Sequence, residues 1–337
     1  MKLKAVLLLS LIFINAHSIA ADKFGIVIHG GAGTIKKENL TDEKLEAINA
    51  VLTKATEAGY NALENGESSL DAIAIAINIL EDSPIFNAGL GAVYTYDGLH
   101  ALDASIMDGA TRNAGAIAGV AHIKNPIDLA REVMDKSVHV MLSGAGAEEF
   151  AIQQGFDLVP ADYFDTSHRY EAWKKARQRL AEAKTVEQQA SVYLQDDFRY
   201  GTVGAVALDK NGNLAAGTST GGMTAKRFDR IGDSPVIGAG TWADNTSCAV
   251  SATGHGEYFI RNHVAADICA RVKYQNKSVE TAAEEVIQDV LKPIGGTGGV
   301  IVIDAQGNFT MEFNTPGMYR AVKTTDKKLE VGIFAKN

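Results

Sequence analysis

Thr202 has the neighbours that hydroxyl chemistry would need. It follows Gly201 directly and opens the run "TVGAVALDKNGNLAAGTSTGG". "DKNGN" suits a type I turn that starts at Asp209, with Gly212 in the left-handed position and a bulge after it. Asp209 then faces Asn213, and the same register sets Thr202 opposite Thr220. Two facing threonines can reflect β-propensity alone. They can also do acyl transfer. A threonine hydroxyl is a weak nucleophile unless a base lies beside it. A cut between Gly201 and Thr202 would give Thr202 a free α-amino group. Such groups titrate at about 7.7–8.0 in peptides, near working pH as a general base should. The β-methyl restricts the rotamers that aim the hydroxyl, and Gly201 opens backbone conformations closed to other residues.

The chain around this hairpin alternates strand and helix signals. "FGIVIHGGAG" reads as a buried strand entering a glycine-rich turn. Leu45, Ile48, Leu52, Ala55 and Gly59 mark one face of a helix over 41–65, with Gly66 at its stop. Ser68-Ser69 start a second helix, "LDAIAIAINILED", apolar on nearly every side and therefore buried. Strand signals flank Asp97-Gly98, and "AGAIAGVAHI" is a further strand. Asn125-Pro126 fit the cap and first residue of a third helix. Residues 164–200 are rich in Arg, Lys, Glu, Gln and Ala with a weak apolar pattern, and read as a mobile surface segment. Strands follow at "SPVIGAGTW" and "SCAVSAT", helices near 257–272 and 279–291, and a last hairpin at "GGVIVIDAQGNFTMEF". Mixed elements with many antiparallel hairpins predict one layered α+β core.

Composition narrows the class. The 337 residues are 46% hydrophobic and 22% charged, as in globular proteins. Lys2 and Lys4, the apolar run 5–14 and Ser18-Ile19-Ala20 fit a signal peptide over residues 1–20 better than a buried helix, so export, to a periplasm in a Gram-negative source, is expected. Its removal takes the net charge from −9 to −11. An acidic chain without a basic stripe is a poor nucleic-acid binder, and the apolar run is short for a membrane span. Cys248 and Cys269 could pair in an oxidising compartment, but each lies in an apolar run where a buried free thiol is the plainer expectation.

The hairpin, followed by "RIGDSPVIGAG" and "SATGHGE", resembles the β-subunit of the plant-type asparaginases, or isoaspartyl peptidases. "IHGGAG", "SPIFNAGLGAV" and "LDASIMDG" resemble the same family's α-subunit. The resemblance implies an N-terminal-nucleophile hydrolase with a four-layer αββα sandwich. Residues 21–201 and 202–337 would be two subunits cut from one precursor, forming one domain, with two αβ pairs in a dimer. It implies Thr202 as nucleophile, Thr220 as its assistant with Thr218 nearby, and Thr253 and Gly254 as the oxyanion hole. Arg230 and Asp233 would clamp the substrate's α-carboxylate and α-ammonium, the Gly256 carbonyl would help hold the ammonium, and Asn87 would lie near the nucleophile. The main-chain carbonyls of Leu80, Glu81, Ser83, Phe86, Ala88 and Leu90 would bind a structural sodium ion; no cofactor is implied for the chemistry. Substrates would be L-asparagine and β-aspartyl dipeptides. Glycosylasparaginase and taspase are the nearest alternatives within the superfamily, and "IHGGAG" and "FNAG" favour the isoaspartyl peptidase branch.

Other readings are weaker. "HGGAG" lacks the Lys-Ser/Thr of a P-loop. Gly217 to Gly221 fits G-x-S-x-G around Ser219, with Asp233 and His255 following in serine-hydrolase order. That elbow needs a strand, a sharp turn and a helix, and "GGMTAKRFDRIGDSP" has no helical face. Eight scattered histidines without HExxH give a metalloenzyme little support. A non-catalytic binding protein would need no cut at Gly201.

Overall fold

A computed structural model of the chain describes residues 23–193 and 201–335. The signal peptide expected over 1–20 and the end of the 164–200 segment lie outside the described residues. Among the described residues no helix is long and apolar enough to cross a membrane.

Thr202 leads into β5 (Val203–Leu208), which is buried on both faces. β5 pairs with β6 (Leu214–Thr220), Val203 facing Ser219, and Asp209 N–H donates to the Asn213 carbonyl at 3.0 Å. This is the register that the "DKNGN" turn predicts. The pair lies at the centre of an eight-stranded sheet in the order β12-β11-β1-β5-β6-β2-β3-β4. The other members are β1 (Gly25–Gly33), β2 (Leu102–Asp108), β3 (Ala114–Val120), β4 (Met141–Ser143), β11 (Gly317–Thr324) and β12 (Glu330–Phe334). A second sheet, in the order β10-β9-β8-β7, contains β7 (Thr241–Ala243), β8 (Cys248–Gly254), β9 (Gly298–Asp304) and β10 (Phe309–Phe313).

Strand alternation sends side chains to two cores. Val203, Ala205, Ala207 and Ala215 pack under α1 (Asp42–Glu64), α2 (Ser69–Glu81) and α3 (Pro126–Lys136). Val206, Leu208, Leu214 and Ala216 face the second sheet, against Ile301 and Ile303. The second sheet's outer face carries α8 (Val264–Gln275) and α9 (Val279–Glu284), the latter continuing into a π-helical turn over Glu285–Leu291. The layers therefore run α, β, β, α. α2 buries Ile73, Ile77 and Leu80 completely, each worth about 1.5–3 kcal/mol on removal from water. Ser68 starts it, accepting from Asp71 N at 3.1 Å and donating to Asp71 Oδ2 at 2.6 Å.

Three expectations need correction. The 164–200 segment contains α5 (Ser167–Glu182) and α6 (Val186–Tyr193) after α4 (Gly144–Gln153). Trp173, Ala176, Leu180 and Val192 bury against Tyr94 and Ala225. That apolar stripe is narrow, so the polar majority hid it. "SPVIGAG" is a set of turns that becomes β7 only at Thr241. Cys248 and Cys269 form a disulfide between β8 and α8, with Cα atoms 5.3 Å apart, and neither is a free thiol. Both project into the layer between that strand and that helix.

Candidate active site

Alternation along β5 and β6 also decides which hydroxyls meet. Thr202 and Thr220 belong to the face turned toward the second sheet, and their Oγ1 atoms are 3.0 Å apart. Thr220 Oγ1 also accepts from Gly222 N–H at 3.0 Å. Ser219 lies on the opposite face. It is fully buried and donates to Glu81 Oε1 at 2.6 Å. Ser219 thus points away from the cleft, and no helix follows β6, which disposes of the nucleophile elbow.

The cleft around Thr202 is lined by Asn87, Thr220, Arg230, Asp233, Thr253 and Gly254, with Tyr193 and Met223 on its outer wall. Asn87 ties three segments together. Its backbone N–H donates to the Gly201 carbonyl at 2.9 Å, its carbonyl accepts from Gly221 N–H, and its side-chain amide donates to the Gly222 carbonyl at 2.7 Å. Gly201 has φ of 138°, and a Cβ there would collide with the Asn87 backbone and side chain. Only glycine fits that close approach. Thr253 Oγ1 accepts from Ala32 N–H at 3.4 Å.

Thr218 is one of the expected site residues that does not reach the cleft. It is fully buried, 2.6 Å from both Ser251 Oγ and Thr241 Oγ1, and donates to the Gly240 carbonyl. Two residues down the strand from Thr220, it shares the same face but lies between the sheets. Through Ser251 it reaches His29, whose Nε2 is 3.0 Å from Ser251 Oγ. His29 Nδ1 is 3.1 Å from the Thr202 carbonyl. A carbonyl only accepts, so Nδ1 carries the proton. Burial lowers the imidazole pKa to about 3, against the pull of that bond, so Nε2 is free to accept from Ser251. This neutral histidine anchors the backbone of Thr202 from below.

At the other end of the cleft, Arg230 and Asp233 lie on one turn-rich segment. Gly256 opens α7 (Gly256–Arg261), and a Cβ on it would come 2.8 Å from both Arg230 Nη2 and Asp233 Oδ1. Side chains longer than hydrogen are excluded between Arg230 and Asp233 at this point. Burial raises the Asp233 pKa to about 7, and the Arg230 charge opposes this only in part. Asp233 Oδ2 accepts no hydrogen bond from the described residues, so a buried acceptor is left for a ligand's donor. Glu257 is a residue the sequence reading missed. It takes Arg230 Nε at 2.9 Å and Nη2 at 3.0 Å, and His255 Nε2 lies 3.1 Å from its Oε2. Burial acts to raise the Glu257 carboxyl, but the bonds from His255 and Arg230 and the guanidinium charge outweigh it and hold it well below the usual carboxylate range. The quoted "SATGHGE" contained Glu257, yet only its distance to Arg230 gives it a role.

On the loop expected to hold a cation, some of the carbonyls are already paired and some are not. The carbonyls of Glu81, Ser83, Phe86 and Leu90 accept no hydrogen bond from the described residues, whereas those of Leu80 and Ala88 accept from Ser83 and Gly91 N–H. Unpaired oxygens on one short loop suit a hard cation. Arg169 of α5 reinforces the same loop, donating from Nε to the Gly91 carbonyl at 2.8 Å.

Four layers with a threonine hydroxyl at the head of a central strand define the N-terminal-nucleophile hydrolase class. Within that class, the asparaginase family model matches residues 22–333. The chain is 50% identical over 297 residues to an isoaspartyl peptidase of Escherichia coli, covering 88% of this chain and 91% of that one. It is 38% identical over 331 residues to a probable isoaspartyl peptidase/L-asparaginase of Arabidopsis thaliana, covering 92% and 99%, and 40% identical over 309 residues to an isoaspartyl peptidase/L-asparaginase of Rattus norvegicus, covering 91% and 88%. The chain belongs to the asparaginase family.

Proposed function

We propose that this chain is an N-terminal threonine hydrolase that cleaves β-aspartyl dipeptides and L-asparagine to release L-aspartate. The observation that carries the reading is the 3.0 Å approach of the Thr202 and Thr220 hydroxyls in a cleft that also holds Arg230 and Asp233.

Maturation comes first. Thr202 Oγ attacks the Gly201 carbonyl, whose oxygen already receives the Asn87 N–H. The peptide bond shifts to an ester, and water hydrolyses it to leave Gly201 as a carboxylate and Thr202 with a free amine. In catalysis the amine takes the proton from Thr202 Oγ as it attacks the β-carbonyl of the substrate. Thr220 holds the nucleophile's oxygen. Thr253 and Gly254 receive the oxyanion, where preorganised donors meet developing charge. Ammonia or an amino acid leaves with that proton. Water then cleaves the β-aspartyl ester.

Arg230 grips the α-carboxylate bidentately, while Asp233 and the Gly256 carbonyl take the α-ammonium. With both α-groups fixed, only the β-carbonyl reaches Thr202. An α-aspartyl dipeptide has no free α-carboxylate and sets its scissile carbonyl one carbon away, an error that costs on the order of a hundredfold through geometry alone. A sodium ion on the 80–90 loop would stiffen the segment that carries Asn87, and the chain would be exported and assemble as a dimer of αβ pairs.

The test is direct. Active protein should consist of two chains, the second starting at Thr202, and Thr202→Ala should remain uncut. Fully cleaved enzyme should hydrolyse β-Asp-Leu and L-asparagine but not α-Asp-Leu. An active protein with an intact Gly201–Thr202 bond, or equal rates on the α- and β-linked dipeptides, would overturn the reading.

A further inference from the structure

Past Tyr193 and Met223 the cleft continues into a second hollow. The two spaces share Tyr193, Met223, Arg230 and His255, and Arg227 and Phe228 line the extension. Three cations project from this short stretch, and two are committed. Lys226 is buried, donating to the Ala101 carbonyl at 2.9 Å and lying 3.4 Å from Asp103 Oδ2. Arg230 is held by Glu257. Arg227 makes no ion pair or side-chain hydrogen bond with the described residues. Its guanidinium carbon instead stacks 4.5 Å from the Tyr96 ring centre and 4.7 Å from that of Phe228. Stacking uses the faces of a guanidinium and leaves its in-plane N–H donors for a ligand.

The backbone here is also costly. Ala225, Phe228 and Asp229 have φ of 57°, 58° and 49°, a region that L side chains avoid. Phe228 is 88% exposed, so burial of its ring does not account for the conformation. Such outliers concentrate where function fixes a loop.

We propose that this hollow receives the leaving amino acid of a β-aspartyl dipeptide, and that Arg227 binds that residue's free carboxylate. The inference rests on the hydrolytic reading above. With the aspartyl half held by Arg230 and Asp233, the leaving residue hangs from the β-carbonyl at Thr202 and must project outward past Tyr193 and Met223. Its side chain meets the apolar surfaces of Met223 and Phe228, and its carboxylate meets the in-plane donors of the Arg227 guanidinium. Arg227 is therefore a specificity-determining residue. It favours dipeptides whose second residue is apolar and carboxy-terminal, and gives nothing to asparagine, whose leaving group is ammonia.

The experiment compares β-Asp-Leu, β-Asp-leucinamide and L-asparagine on cleaved wild-type enzyme and on Arg227→Met, which keeps an apolar stem against the two rings. Loss of a hydrogen bond to a charged group predicts that wild type uses the leucinamide about tenfold to a hundredfold less efficiently than the free acid, mainly through KM. In Arg227→Met that difference should vanish, and the ratio of dipeptide to asparagine kcat/KM should fall by a similar factor. Equal use of acid and amide by wild type would overturn the proposal without any variant. So would an Arg227→Met enzyme that loses all three activities alike. A wild-type enzyme inactive on all three compounds would instead bring down the hydrolytic reading beneath it.

Discussion

Arg230 lies fork to fork on Glu257, with Nε 2.9 Å from Oε1 and Nη2 3.0 Å from Oε2. That contact uses the side edge of the guanidinium. The end edge, Nη1 with Nη2, is the one that the proposed α-carboxylate would meet, and Glu257 fixes its direction. Arg230→Lys should lower kcat/KM on β-aspartyl substrates about tenfold to a hundredfold, because a point charge cannot make two parallel bonds. Glu257→Gln should lower it by about tenfold while the guanidinium stays in place. Both variants should still self-cleave, since maturation involves no free substrate. Steady-state kinetics and a denaturing gel read the two effects separately, and Arg230→Lys at wild-type efficiency would remove Arg230 from the clamp.

Asp233 sets stability against binding. Its folded pKa of about 7 lies above the ordinary carboxylate value of 3.8. Between those two values the folded chain holds the proton more tightly than the unfolded one, so this group's contribution to stability declines as pH rises and is fully lost above about 7. The proposed grip on the α-ammonium needs the anion, so the two demands would have opposite pH dependence. Asp233→Asn should raise Tm at pH 8 relative to wild type, by an amount on the order of 1–3 kcal/mol in stability, with little difference at pH 4. It should also lose most of its activity. A variant no more stable than wild type at pH 8 would show that Asp233 is not held in a penalised ionised state.

Thr220 touches both the Thr202 hydroxyl and the Gly222 N–H, each at 3.0 Å. Thr220→Ala removes the first contact and leaves the second donor unpaired, and kcat should drop by roughly 10²- to 10³-fold, the range seen when a single preorganised polar group is lost. Thr220→Ser restores the oxygen and should recover most of that loss. Equal activity of the Ala and Ser variants would deny the hydroxyl a part in the reaction.

Much of this site is legible in the residues, for a physical reason. The "DKNGN" turn fixes a register, and register fixes which side chains share a face. The pairing of Thr202 with Thr220 follows from that alternation. Glu257, His29 and Tyr193 could not be assigned in the same way. Their roles depend on contacts with residues 27, 173 and 32 positions away in the chain, and no local period encodes such distances. Thr218 shows the opposite error. Sharing a face with Thr220 is not enough to share its cleft, because the second sheet closes over that face two residues deeper. The 164–200 segment illustrates a third limit, since Trp173, Ala176 and Leu180 are the buried residues of a helix that otherwise reads as solvent-exposed.

The disulfide supplies a stability test that leaves the cleft alone. Cys248 begins β8 and Cys269 lies in α8, on the face of the second sheet turned away from Thr202. The bond closes a loop with a sequence separation of 21 residues. For a loop of that size the chain-entropy estimate is about 3 kcal/mol. The oxidised protein, denatured without reductant, should therefore give no reaction with a thiol reagent, and it should react at two sites per chain after reduction. The Cys248→Ser, Cys269→Ser double variant should unfold at lower temperature or denaturant concentration, with a loss near that figure. Its KM for β-Asp-Leu should stay close to wild type, because Thr253 and Gly254 at the far end of β8 are held by their pairing with Gly299 and Gly298 of β9. If removing the bond raises KM while leaving the unfolding midpoint unchanged, the disulfide serves the geometry of β8 and not the stability of the outer layer.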